Sequence, residues 1–286
     1  MITVDCPAKV NLFLEVLGKR PDGFHELATV MCAVSLCDRL TLAPAKRDSF
    51  TVEPSGAAPR DPSNTVRKAL AALRRRMKVP PVRVSLAKRI PSGAGLGGGS
   101  SDAAGLVRAA NQRFDLGLST PDMRSILAEV GSDTAFFASG GAALCTGRGE
   151  IIEPLSTAPK LHLVLLSPAF NNPTPEVYKR LKLNLTRRPR AVTRFLNSLG
   201  TGDAVRIGTQ LFNRLEPPAF ELRPELRKLR RGLESMGFAG VLMTGSGSTL
   251  FGLCADSAER RLREREVRKT GWGRTVAVTT LPFHDA

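Results

Sequence analysis

The chain has 286 residues with a formal net charge of +16, 42% hydrophobic and 24% charged residues, a balance that suits a soluble globular protein and excludes a disordered or fibrous one. Its excess positive charge is spread over both halves, +6 over residues 1–150 and +10 over 151–286, and one Tyr and one Trp leave little for base stacking. That distribution argues against nucleic acid as a partner and for anionic small substrates. No apolar run approaches the roughly 18 residues of a membrane span. The N-terminal stretch lacks the basic and small-residue pattern of a secretory signal, so the expected location is cytoplasmic, with no membrane partner. Five cysteines form no CxxC pair and only three histidines are present, which argues against a zinc cluster or a disulfide framework.

ITVDCPAKVNLFLEVLG alternates enough for one or two strands, RPDGF is a turn, and ELATVMCAVSLCDRLTLAP reads as further strand. A helix is expected after a cap at Ser63 or Asn64, with Val66, Leu70, Leu73 and Met77 on one face and Arg74-Arg75-Arg76 on its solvated side. Val82, Val84 and Leu86 alternate in a half-buried strand. A glycine-rich loop follows, and Ser101–Phe114 is helical in composition. Thr120, as cap, and Pro121 start the next helix. GSDTAFFASGGAALCTGRGE leads into a glycine-punctuated strand or hairpin.

Near residue 156 the character changes, and TAPKLHLVLLSP opens a second domain with a buried strand. Helices are expected over Glu176–Leu183, Ala191–Leu199, Thr201–Leu211 and Arg223–Met236, with a basic group at Arg187-Arg188-Pro189-Arg190. GVLMTGSGSTLFGLC reads as strand, turn and returning strand; Arg260–Lys269 is helical and TVAVTTL closes the chain as a strand. Helices and strands mix without a regular βαβ rhythm, so the fold class is α+β. The expected domains are 1–156, carrying the glycine loop at 91–102, and 157–286.

The loop IPSGAGLGGGSSDAAG sits between a strand and a helix. It satisfies G-x-G-x-x-G through Gly93, Gly95 and Gly98, yet the acidic residue that a dinucleotide site needs about 20 residues on is replaced by Asp115 at a helix exit. It also lacks the lysine of a Walker A loop. What remains is common to both motifs. Consecutive backbone N–H groups at a helix N-terminus favour an anion, and Ser100 and Ser101 add donors for phosphate oxygens.

PSGAGLGGGSSDAAG resembles the phosphate loop of the galactokinase, homoserine kinase, mevalonate kinase and phosphomevalonate kinase (GHMP) superfamily. PAKVNLFL at 7–14 and LMTGSGSTLFGL at 242–253 resemble its other two signatures, in the same order. The stretches PAKVNLFLEVLGKRPDGFHEL, GSDTAFFASGGAALCTGRGE, TPEVYKRL and FNRLEP resemble the branch of the superfamily that acts on a cytidine diphosphate derivative in the non-mevalonate isoprenoid pathway. The resemblance implies a ribosomal-protein-S5-like N-terminal domain and a ferredoxin-like C-terminal domain. It also implies ATP and Mg²⁺ as cofactors, a small-molecule acceptor, and a monomer or weak homodimer.

Carried over residue by residue, the resemblance makes Asp133 the catalytic base and Lys9 its partner. Pro91, Gly93, Gly95, Leu96, Gly97, Gly98, Gly99, Ser100 and Ser101 become the ATP phosphate site. Phe24 and Tyr178 hold the cytosine between two rings and His25 reads its edge, with Asn11, Gly245, Ser246 and Gly247 completing the substrate site. Phe24 stands where Tyr is common, while Ala135 and Ser248 replace prolines, which is expected to loosen two loops. The motifs assign no metal ligands. Two other readings compete: a GHMP kinase for a different small alcohol, and an S5-like RNA-binding protein without catalysis.

Overall fold

The computed structural model describes residues 1–54, 63–182 and 189–282. The chain opens with two long antiparallel strands, β1 (Ile2–Lys19) and β2 (His25–Pro44), joined by the turn that the RPDGF segment predicts. A short β3 (Ser49–Glu53), not anticipated from the sequence, runs parallel to β4 (Val82–Ala87), and β4 pairs antiparallel with the C-terminal half of β2. Between β3 and β4 lies α1 (Thr65–Arg76), capped as expected by Asn64, whose side-chain oxygen accepts from the Val66 N–H at 2.8 Å.

The glycine loop leads from β4 into α2 (Gly98–Phe114), which starts three residues before the expected Ser101. Its small residues let it pack closely on β1: a Cβ on Gly105 would lie 2.3 Å from the Cys6 sulfur, so no larger residue fits there. In α3 (Thr120–Ala128) the cap is Ser119, not Thr120. Ser119 and Asp122 form a reciprocal capping box, and that pairing fixes the start one residue earlier. A single 3₁₀ turn at Ala135–Ala138 precedes the hairpin of β5 (Ala142–Gly147) and β6 (Ile151–Pro154), and β5 pairs with the N-terminal half of β2.

The second half supplies β7 (His162–Ser167), α4 (Thr174–Lys179), α5 (Pro189–Gly200), α6 (Ala204–Gln210), β8 (Phe212–Asn213), α7 (Glu216–Leu222), α8 (Pro224–Glu234), β9 (Gly240–Met243), β10 (Leu250–Cys254), α9 (Ser257–Lys269) and β11 (Arg274–Thr279). The helix α7 is additional to those expected. The starts of α6 and α9 are set by Asp203 and Asp256, whose carboxylates accept from the first-turn N–H groups, so α9 begins three residues before Arg260. Leu183, Arg187 and Arg188 lie outside the described residues, as do the side chains of Pro189 and Arg190.

The strands form two sheets. The first runs β3-β4-β2-β1-β8, with β5 and β6 attached through the other half of β2; the second is antiparallel in the order β11-β7-β10-β9. Short β8 belongs to the first sheet although it comes from the second half of the chain, and it pairs parallel with β1. One core packs α1, α2 and α3 on the first sheet. A second, containing Val10, Leu12, Leu163, Leu165 and Phe251, joins the two sheets, and a third lies under α7, α8 and α9. No helix among the described residues is long and apolar enough to cross a membrane.

Candidate active site

Between the two sheets opens a cleft of about 1420 Å³. A single small-ligand pocket is typically about 300–1,000 Å³, so this one has room for two ligands side by side. Its walls are the glycine loop, the face of β1 carrying Lys9 and Asn11, the turn at 131–134, the β1–β2 turn, α4 and the β9–β10 turn.

Alternation along β1 puts Lys9 and Asn11 on the same face, and burial fixes both, at 3% and 2% exposure. The Lys9 ammonium donates to Asn11 Oδ1 at 2.6 Å and lies 3.5 Å from Asp133 Oδ2. Asn11 Nδ2 donates to the Thr29 hydroxyl at 2.9 Å, which in turn donates to the Phe13 carbonyl at 2.7 Å. This chain of bonds fixes which end of the amide faces Lys9. Asp133, in a turn after Gly131, keeps its side chain 36% exposed and so opens on the cleft.

The loop is clasped from both domains. Lys9 N–H donates to the Leu96 carbonyl at 2.9 Å, and Thr249 N–H to the Ala94 carbonyl at 3.2 Å. Gly93, Gly95 and Gly97 all adopt positive φ, and a Cβ on Gly95 would lie 2.4 Å from the Thr244 carbonyl oxygen. The bare backbone therefore serves close packing against the β9–β10 turn. Pro91, Gly93, Gly95, Leu96, Gly97, Gly98, Gly99 and Ser100 line the cleft. Ser101 does not; it is wholly buried, and its hydroxyl has no partner among the described residues.

At the far end of the cleft the His25 and Tyr178 rings pack 4.9 Å apart at 32°, and the Phe24 ring, 48% exposed, lies under the Arg148 guanidinium at 4.7 Å. Burial, assisted by Lys19, holds the His25 pKa below its ordinary value, so the imidazole is neutral near pH 7, with one donor and one acceptor nitrogen. Phe24 and Tyr178 thus share one end of the cleft, with His25 against the tyrosine. Gly245 and Ser246 line the wall, whereas Gly247 lies behind it, packed on Met243 and Asn172. Ser248 does not leave its loop slack: it is wholly buried and its hydroxyl donates to the Phe170 carbonyl at 2.5 Å.

Under the loop lies a cluster that the sequence reading did not assemble. Lys88 is held between two buried carboxylates, Asp38 and Asp102, with a bond of 2.7 Å to Asp102 Oδ2. Asp38 also accepts from the N–H groups of Arg89 and Ile90. Burial opposes the Lys88 charge, yet Asp102 and Asp38 outweigh it and hold the ammonium above its ordinary pKa. Asp102 is pushed up to about 7 by burial, against the pull of Lys88 and with help from Asp38. The signal lay in strand register, since the β2–β4 ladder ends on the pair Arg39 and Ala87 and so brings 38 and 88 together. Thr29 and Thr244 were missed too; the Thr244 hydroxyl, which accepts from Asn11 N–H at 3.0 Å, tells nothing of its role until the sheets are packed.

The cleft offers no cage for Mg²⁺: no group of three or more His, Cys, Asp or Glu suited to an ion occurs among the described residues. Asp102 and Asp133 are the carboxylates that line it, and Lys88 occupies the first. An ion here would enter with the phosphates of a nucleotide and be held by them and by water.

The family models for the GHMP kinase N-terminal and C-terminal domains match residues 64–141 and 195–271. Two curated relatives, the 4-diphosphocytidyl-2-C-methyl-D-erythritol kinases of Shouchella clausii and Pelotomaculum thermopropionicum, are each 39% identical. They match 88% and 94% of this chain and 85% and 95% of their own lengths. A crystal structure of 4-(cytidine 5'-diphospho)-2C-methyl-D-erythritol kinase superposes with a TM-score of 0.80 at 35% identity, covering 98% of this chain and 99% of that one. A homoserine kinase from Cytophaga hutchinsonii, TM-score 0.79 at 20% identity over 99% and 95% of the two chains, shares the fold. The chain belongs to the GHMP kinases, and within them to the 4-diphosphocytidyl-2-C-methyl-D-erythritol kinase family.

Proposed function

We propose that this chain transfers the γ-phosphoryl group of ATP to the 2-hydroxyl of 4-diphosphocytidyl-2-C-methyl-D-erythritol, giving the 2-phosphate and ADP, with Asp133 and Lys9 at the reacting atoms. The observation that carries the reading is the juxtaposition of Lys9, Asn11 and Asp133 beside a backbone-lined loop at a helix N-terminus. The substrate oxygen forms its bond to the γ-phosphorus while the bond to the β-phosphate oxygen breaks and ADP leaves. Its proton passes to Asp133. A carboxylate is a far weaker base than an alkoxide, so that transfer comes late, once the O–P bond is forming. Lys9 offsets charge on the equatorial oxygens and, through its bond to Asn11, stays aimed at the cleft. Mg²⁺, if carried in by the nucleotide, would add charge neutralisation.

The nucleotide phosphates lie on the loop backbone and Ser100, and the cytosine is held by Phe24, His25 and Tyr178 at the opposite end. The two-ligand capacity of the cleft supports this division. The catalytic domain is assigned to 1–156 and the domain completing the substrate site to 157–286. A cytoplasmic enzyme fits five free cysteines.

The test is coupled ADP release with Mg-ATP and the cytidine substrate, with homoserine as competing acceptor. Asp133→Asn is expected to lower kcat by about 10²–10⁴-fold, the usual range for a general base, with a small change in KM. A variant turning over at the wild-type rate would remove Asp133 from the mechanism, and homoserine turnover would overturn the choice of acceptor.

A further inference from the structure

The Asp38–Lys88–Asp102 cluster holds two carboxylates and one ammonium, all 5% exposed or less, directly beneath the proposed phosphate site. Its members are not equally satisfied. Asp38 takes Lys88 and two backbone N–H groups, whereas Asp102 takes Lys88 on Oδ2 alone, and its Oδ1 has no partner among the described residues. Asp102 is 2% exposed, sits at the start of the second turn of α2 and lines the cleft together with Gly98 and Gly99. A buried carboxylate oxygen close behind a site for polyanions, with no donor of its own, is repelled by every phosphate that enters. A carboxylic acid in the same place is a donor to a phosphate oxygen and leaves the cluster neutral.

We infer that Asp102 binds nucleotide in its protonated form, donating through Oδ1 to a phosphate oxygen, so that nucleotide binding takes up one proton. The inference rests on the reading of the glycine loop as the phosphate site. The groups around Asp102 fit a single titrating carboxyl. Lys88, from the segment after β4, is held charged by its two partners. Asp38 comes from β2. Cys6, on β1, is kept a neutral thiol by burial and by Asp102. Arg108, further along α2, is turned to the Asp5 carbonyl at 2.9 Å. With Asp102 near 7 in the free protein, the sign follows. Well below that value the proton is already present and binding takes up little; well above it the proton must be acquired, and affinity falls by roughly tenfold per pH unit, the slope for one proton.

The experiment is calorimetric titration of the full chain with Mg-ADP at pH 8 in two buffers of different ionisation heat, where ADP itself is fully ionised. Wild type is expected to take up close to one proton at pH 8, and less as the pH is lowered toward 7. Asp102→Asn, which keeps an oxygen for Lys88 and a donor for phosphate, is expected to bind with no uptake and with affinity independent of pH from 7 to 9. Binding by wild type at pH 8 without uptake overturns the inference, and no variant is needed for that result. Undiminished uptake in Asp102→Asn overturns it as well. Failure of wild type to bind Mg-ADP at all instead overturns the phosphate-site reading.

Discussion

Gly95→Ala is the substitution whose consequence the geometry defines most closely. The new Cβ would lie 2.4 Å from the Thr244 carbonyl oxygen and 3.0 Å from that of Gly247, both backbone atoms in a turn anchored by its own hydrogen bonds. Ordinary contact begins at 3.4 Å, so the loop and the β9–β10 turn must part by about 1 Å. Overpacking of this kind costs about 1–3 kcal/mol. Residue 95 also has φ +78°, where an alanine costs roughly 1–2 kcal/mol more. The protein therefore loses a few kcal/mol of stability and still folds. Turnover should suffer more, because the same shift moves the proposed phosphate site away from Lys9 and Asn11, and misplacement by about 1 Å is worth on the order of 10²-fold in rate. Steady-state ADP release with urea unfolding separates the two effects. Gly18→Ala is the control, since its Cβ meets nothing within 4 Å. A Gly95→Ala enzyme with kcat within about twofold of wild type would refute the claim that loop and turn must touch for catalysis.

Two further outcomes are expected. Tyr178→Ala removes the ring packed on His25 and should raise KM for the cytidine substrate by about 10–100-fold, the range of one lost stacking contact, with KM for ATP unchanged. Equal increases in both KM values, measured by initial rates, would place Tyr178 outside the base site. Glu216 is 7% exposed and accepts from Met243 N–H at 2.9 Å; burial pushes its carboxyl up to about 7, against Arg230 and that N–H. The folded state therefore holds its proton at a pH where the unfolded chain has lost it, and this contribution to stability fades as pH rises from about 4.5 through 7. Glu216→Gln lacks the titration, so wild type should lose stability relative to the variant between pH 5 and 8 in urea unfolding. A stability difference unchanged over that range would refute the assignment.

Local pattern made most elements legible: alternation marked β1 and β4, a run of β-branched and apolar residues marked β2, and Ser63 or Asn64 marked the start of α1. The misses have local causes of their own. Ser119 and Thr120 are both hydroxyl residues, and only Asp122, three residues after Ser119, distinguishes them as caps. The two prolines in FNRLEPP suggest a break, whereas in α7 they occupy the first turn, where their missing N–H groups cost nothing. Lys9 and Asp133 were singled out through resemblance, because nothing in their sequence neighbourhoods reports that β1 and the 131–134 turn meet. Of the Asp38–Lys88–Asp102 cluster only Asp102 falls within a quoted motif; bringing the three together needs the register of β2 on β4 and the depth of α2 beneath the loop.

The same limit explains why FNRLEP, a motif without an obvious catalytic group, belongs with the site. Its first two residues form β8 and extend the first sheet beside Phe13 and Leu14, a few residues beyond Lys9 and Asn11. The Asn213 amide donates to the Met243 and Gly245 carbonyls at 2.6 and 2.8 Å, while Glu216 accepts from Met243 N–H. Arg214 adds a paired contact to the buried Glu15 of β1 at 2.6 and 2.9 Å. Six residues thus bind the strand that carries the lysine to the turn that presses on the glycine loop. A displacement of the second sheet would therefore act on the strand that carries Lys9 and Asn11, which makes the union of the two domains, more than either one alone, the structural basis of the cleft.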